Sequence, residues 1–171
     1  AGTLQYDRDV IIDFVRAGDA AGFTVMMHAI GDEAVSTALD AIEGTTGDRN
    51  HIVTHIQVVK PADQGRFATL GAYASFTLAW AVATPEYDWS VIPFIDDVSA
   101  DNNLYREDGY YFQNVYPAAS IQKQGGIIIS GSDVPVDVRD PRPFQNIAAA
   151  VSRRFGDFPA MNADEAIGIH D

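Results

Sequence analysis

Three residues at the ends of apolar runs carry side chains suited to metal or acid–base chemistry: His28, His55 and Asp133. His28 lies in FTVMMHAIGD (23–32), His55 in HIVTHIQVV (51–59), and Asp133 closes GIIISGSD (126–133). Two imidazoles and a carboxylate suit Zn²⁺, and equally Mn²⁺ or Fe²⁺, since these ions accept nitrogen and oxygen donors together. No local motif joins the three, so only an assembly of strand ends could bring them to one ion. The competing reading is structural. A strand-end histidine can be a packed residue, and an aspartate after a strand commonly forms a turn or a helix cap. Alternation along each strand groups His28 with Met26 and Thr24, His55 with Val53 and His51, and Asp133 with Gly131, Ile129 and Ile127.

His51 and His55 also form an H-x-x-x-H pair, which on a helix would bring both rings to one ion. On a strand the same spacing puts them roughly 13 Å apart. The β-branched run around them favours the strand, so His51 is assigned a structural role. His170 is expected at the surface near the end of the chain.

The elements that would position these residues alternate. Residues 7–21 read as a helix, with Val10, Ile11, Phe14 and Val15 on one face and Gly22 just past its end. A strand ends near His28, and Asp32 is placed to cap a helix carrying Val35, Ala38, Leu39 and Ile42. The unit repeats: strand 51–59, a helix opening at Pro61, and a third strand at 71–80. A short helix at 117–125 precedes the clearest strand, 126–133, and a helix follows over 143–155. Asn162 and Glu165 have capping-box spacing for one more helix. Alternating strands and helices imply parallel β with right-handed crossovers, hence an α/β fold.

Between the third and fourth strands, 77–116 is long for a connection and rich in aromatics, Trp80, Tyr87, Trp89, Phe94 and Tyr110 among them. Such a segment is either a binding loop or lid, or a packed excursion covering apolar surface. Its acidic residues, Asp96, Asp97, Asp101, Glu107 and Asp108, are expected to be solvated.

Composition narrows the partners. Eleven Lys and Arg against 24 Asp and Glu give a net charge of −13, and no cationic cluster interrupts it. That pattern excludes the basic footprint of nucleic-acid binding and disfavours anionic lipid. No apolar run approaches the roughly 20 residues of a membrane span. The absence of cysteine removes disulfides, thiolate ligands and a cysteine nucleophile, and leaves the compartment undetermined. With 171 residues and 47% hydrophobic content the chain can bury a core.

HAIGDEAVSTALDAIE (28–43), RFATLG (66–71) and SGSDVPV (130–136) resemble the amidohydrolase superfamily, in its family 3 branch. The order agrees too: His-x-x-Gly-Asp, a strand ending in histidine, Gly-Ser-Asp-x-Pro, then a Pro-Phe helix ending in Ala-Val-x-Arg (150–153). The resemblance implies a (β/α)₈ barrel with one or two divalent metals at its carboxyl-end mouth. It implies His28 and His55 as metal ligands at the fifth and sixth strands. Asp133, after the eighth, would contact the metal and act as the catalytic base. Departures are equally plain. The first-strand His-x-His pair and the bridging residue of the fourth strand are absent. Ile52 and Thr54 stand where the family tends to have Arg and Glu, and Thr77 and Leu78 where many members have Gln-Pro. A whole barrel needs about 250 residues, so residues 1–171 read as a single partial domain, the C-terminal half (strands 5 to 8) of such a barrel.

The functional expectation is therefore a fragment of a metal-dependent hydrolase acting on amide-like, non-peptide C–N bonds of a small-molecule substrate. Half a barrel has two open sheet edges, so self-association into a homo-oligomer, or a missing N-terminal half, is expected to cover them. The alternative is a self-contained, doubly wound α/β domain that binds an ion or small ligand without catalysis.

Overall fold

The computed structural model describes residues 4–99, 103–136 and 139–168. Helix α1 (Arg8–Ala20) leads into strand β1 (Met26–Ala29), α2 (Asp32–Glu43) and β2 (Ile52–His55). Two short helices, α3 (Pro61–Gln64) and α4 (Arg66–Leu70), precede β3 (Tyr73–Phe76). A long excursion carries α5 (Pro85–Asp88) and α6 (Tyr110–Asn114); α7 (Ala118–Lys123), β4 (Ile127–Ser130) and α8 (Pro143–Ser152) follow. The four strands form one parallel sheet in the order β1-β2-β3-β4.

That sequential order discriminates between the two expected architectures. A doubly wound sheet reverses its strand order at a switch point, and this sheet has no reversal. Each strand instead follows its predecessor on the same side, as in a stretch of a (β/α)₈ barrel. The four-residue strands leave β1 and β4 as edges among the described residues.

Register sorts the side chains into two faces. Met27, Val53, Ala74 and Ile128 form one row across the sheet and pack with Val35, Leu39, Phe67 and Ile121 of the helices in the main core. The opposite face holds the row His28, Thr54, Ser75 and Ile129, with Met26, Ile52, Tyr73 and Ile127 one step before it. Thr54 and Ser75 are buried and their hydroxyls meet at 3.3 Å. At the edges this face is open, Met26 being 56% and Ile127 51% exposed. The helices flanking those edges are also uncovered, with Phe14 on α1 74% and Phe144 on α8 84% exposed.

Several boundaries depart from expectation for identifiable reasons. The strand 51–59 stops at His55, because His55 and Ile56 take left-handed backbone (φ 73° and 51°). Val58 then makes an isolated antiparallel bridge to Val115. Asp32 is the first residue of α2 with Gly31 at the cap, and its carboxylate accepts the Glu33 amide at 2.8 Å. It still places negative charge at the positive end of the helix. The expected last helix is only a 3₁₀ turn, Ala163–Glu165. Glu165 does not cap Asn162; its carboxylate accepts the Ser120 amide at 2.8 Å and the Ser120 hydroxyl instead. His170 lies outside the described residues.

The excursion is packed. Ala81, Ala83, Ile92, Val98, Leu104 and Tyr111 belong to the main core. A polar chain fixes it further: Tyr87 Oη donates to Gln57 Oε1 at 3.1 Å, and Gln57 Nε2 donates to Tyr111 Oη at 3.0 Å. Asp96 is not merely solvated, since it accepts the Tyr110 and Tyr111 amides at 2.9 and 2.8 Å and so starts α6. Asp101 lies outside the described residues.

Two buried charges staple the periphery. Arg153, fully buried after α8, donates to the carbonyls of Met161 (2.8 Å), Tyr116 (3.0 Å) and Val115 (3.0 Å). Burial lowers its pKa to about 10, so it remains a cation at neutral pH. Asp19, buried at the end of α1, accepts the Thr46 amide at 2.8 Å and Arg49 Nη1 at 3.2 Å, and lies 3.3 Å from His51 Nε2. His51 Nδ1 in turn accepts the Val25 amide at 3.1 Å and so ties the residue before β2 to the residue before β1.

Replacing Arg153 with Met leaves three carbonyls without their donor and is expected to cost about 3 kcal/mol in urea denaturation. Arg153→Lys should recover little, since one ammonium cannot reproduce the planar fork. Hydrogen bonds from Thr46, foremost its amide, hold the Asp19 carboxyl down at about 2. The Asp19 contribution is therefore present above the unfolded aspartate pKa of about 3.9 and lost as pH falls towards 2. Asp19→Asn should be less stable than wild type at pH 7, with the gap narrowing across that window.

Candidate metal centre

The carboxyl ends of parallel strands form one edge of the sheet, and this is where His28, His55 and Asp133 are carried. His28 sits in β1 with its ring on the open face, in register with Thr54. Regular alternation would leave His55 on the face of Val53, opposite His28. The backbone prevents this. Left-handed φ at His55, and at the β-branched, buried Ile56, breaks the alternation at the last residue of β2. Each such residue costs on the order of 1–3 kcal/mol. Flanking hydrogen bonds hold it: Ile56 N to Ala29 O (3.0 Å), Val58 N to Ile30 O (3.1 Å) and Tyr116 N to Gln57 O (2.7 Å).

The result is a histidine pair. His55 Nε2 and His28 Nδ1 are 2.8 Å apart, with ring centroids at 4.7 Å and planes tilted by 58°. Trp80, two residues into the turn after Leu78, stacks on the His55 ring at 5.3 Å and 10°. His55 is buried, and among the described residues its Nδ1 has no hydrogen-bond partner. Desolvation lowers the His55 pKa; Asp133 raises it and His28 lowers it again. Burial thus favours the neutral imidazole, the form that ligates metals.

Asp133 takes left-handed backbone (φ 54°) in the turn after β4, and its carbonyl accepts the Val136 amide at 2.9 Å. It is close enough to act electrostatically on His55. Among the described residues, however, no group of three His, Asp or Glu side chains gathers to hold an ion. The structure thus unites His28 with His55 and leaves Asp133 beside the pair without closing a three-donor cluster.

The two rings fit a divalent ion in their donor chemistry. Two nitrogens of one tetrahedral Zn²⁺, each at about 2.0–2.1 Å, stand about 3.3 Å apart. The pair would need to part by only about half an ångström, and His28 is exposed enough to turn.

A model of the amidohydrolase family matches residues 1–163 of the sequence. This chain belongs to that family. Among individual proteins it is similar to Protein LONG AFTER FAR-RED 3 of Arabidopsis thaliana, 29% identical over 159 residues. That match takes in 89% of the chain and 24% of the plant protein, so the chain spans about a quarter of that relative's length. Two solved structures share the fold: uncharacterized metal-dependent hydrolases from Pyrococcus horikoshii OT3 (TM-score 0.72, 23% identity) and Pyrococcus furiosus (TM-score 0.66, 22% identity). They cover 97% and 98% of the chain, which in turn covers 30% of each. Among the described residues no helix is long and apolar enough to cross a membrane.

In the sequence Trp80 is one loop aromatic among several, with no partner indicated. Its position just beyond the end of β3 was the available signal. The Ala-Val-x-Arg segment marks Arg153 in the sequence, but no local pattern there encodes its full burial.

His55 should titrate below the ordinary histidine value of about 6.5 in an NMR pH series. Asp133→Asn removes the one charge that raises its pKa and should lower it further, whereas His28→Gln should raise it.

Proposed function

We propose that this chain contributes the carboxyl-end metal-binding histidine pair of a hydrolase that cleaves amide-like, non-peptide C–N bonds of small molecules. The observation that carries this reading is the convergence of His28 Nδ1 and His55 Nε2 at 2.8 Å on the sheet edge, against a strained backbone. Membership of the amidohydrolase family supports it. A divalent ion, Zn²⁺ in the first instance, supplies Lewis-acid activation of water and of a carbonyl. His28 and His55 would hold it, and Asp133, beside them, would add a carboxylate donor once drawn onto the ion. The Asp133 carboxylate also accepts the proton of the attacking water and returns it to the leaving nitrogen.

Among the described residues only the two histidines meet, and Asp133 does not close a three-donor cluster with them, which is fewer than the three protein donors usual at a catalytic zinc. The site is completed from outside this chain, by a second copy or by an N-terminal half that also covers the edges of β1 and β4. The apolar residues flanking those edges, Met26, Phe14, Ile127 and Phe144, support such a cover.

Metal content after purification tests the site. Wild type should retain a stoichiometric divalent ion, and His28→Ala, His55→Ala and Asp133→Ala should each lose it. Equal metal in wild type and variants would sink the shared site. Sedimentation tests the cover: a compact monomer at micromolar concentration would overturn association of copies.

A further inference from the structure

A ligating histidine is normally oriented by a hydrogen bond from its other ring nitrogen to a carboxylate, carbonyl or water. Among the described residues no carboxylate or carbonyl meets the buried Nδ1 of His55. Its ring is instead bounded by His28 at one nitrogen and by the indole of Trp80 over one face. The orientation of His55 therefore depends on what fixes Trp80.

Trp80 ends the 3₁₀ turn Leu78–Trp80, which carries no side-chain cap of its own. An outside contact holds the turn. Asn146, buried in the first half of α8, accepts the Ala79 amide on Oδ1 at 2.9 Å. Its Nδ2 faces the carbonyls of Pro141 and Arg142, each at 3.5 Å, at the start of the same helix. The helix after β4 is thus bonded to the backbone of the residue immediately before Trp80.

We propose that Asn146 and Trp80 are positioning residues for the His55 imidazole, Asn146 acting through the Ala79 amide and Trp80 through stacking. Trp80 takes the orienting part that a hydrogen bond to Nδ1 plays elsewhere. The inference rests on the reading of His28 and His55 as a metal pair. It adds that the ligand at the end of β2 is aimed by elements following β3 and β4.

The test pairs disruptive with conservative variants and reads two quantities on the full chain. The first, in metal-free protein, is the ring-current displacement of the His55 ring protons by the stacked indole, measured by NMR. The second is Zn²⁺ affinity, measured by competition with a chromophoric chelator. Asn146→Leu should abolish the displacement although Trp80 is intact, and should weaken Zn²⁺ binding 10–100-fold. Asn146→Asp keeps the Oδ acceptor and should restore both. Trp80→Ala should lose comparable affinity, and Trp80→Phe should recover most of it. A merely structural Asn146 would lower the melting temperature of Asn146→Leu while the folded protein kept its ring-current displacement and affinity. That result overturns the proposal, as does wild-type affinity in Trp80→Ala. If wild type binds no Zn²⁺, the metal reading fails separately, and an unchanged His55 displacement in Asn146→Leu then overturns the positioning role by itself.

Discussion

The break in strand geometry at His55 and Ile56 is the constraint on which the candidate centre depends. A regular β2 would point His55 at the helices with Val53, and the two imidazoles would lie on opposite faces of the sheet. Left-handed backbone at a histidine and an isoleucine is intrinsically unfavourable, and it persists only where surrounding bonds over-determine it. Here the amides of Ile56, Val58 and Tyr116 supply those bonds, and the Ile56 side chain is fully buried. The same break ends β2 after four residues and turns the chain towards the excursion. Site geometry and strand length therefore have a single cause.

The excursion between β3 and β4 takes its place in the same account. Gln57, two residues past His55, bonds both Tyr87 and Tyr111 and so ties the excursion to the end of β2. Its carbonyl receives the Tyr116 amide, and the Tyr116 carbonyl receives Arg153 from beyond α8. A continuous set of polar contacts thus runs from the strand of the histidine pair to the C-terminal periphery. Such contacts contribute little net stability one by one, but each is costly to leave half made. They fix the mouth of the sheet in one arrangement.

Much of this was legible in sequence because it rests on local rules. The alternation of apolar runs with amphipathic helices, the glycine after α1 and the proline opening α3 announced parallel βα units. Histidines at two strand ends were visible, as was the structural character of His51, since an H-x-x-x-H pair on a strand cannot share an ion. Boundaries failed where tertiary bonds override local preference. Glu165 abandoned its capping position for Ser120, and Asp96 left solvent to bond the first amides of α6.

The sequence by itself determined the chemistry available: imidazole and carboxylate without thiolate, an acidic surface, and a set of strand-end donors. Those properties are one-dimensional, fixed by residue type and spacing. Only the tertiary structure decided which donors meet. Strand alternation assigns a face within each strand but is silent on register between strands, and no periodicity encodes a left-handed φ at His55. The pairing of His28 with His55, the stacking of Trp80 and the separate position of Asp133 all follow from contacts between residues remote in sequence. Such contacts exist only once the sheet has closed its register and the buried amides have found their acceptors.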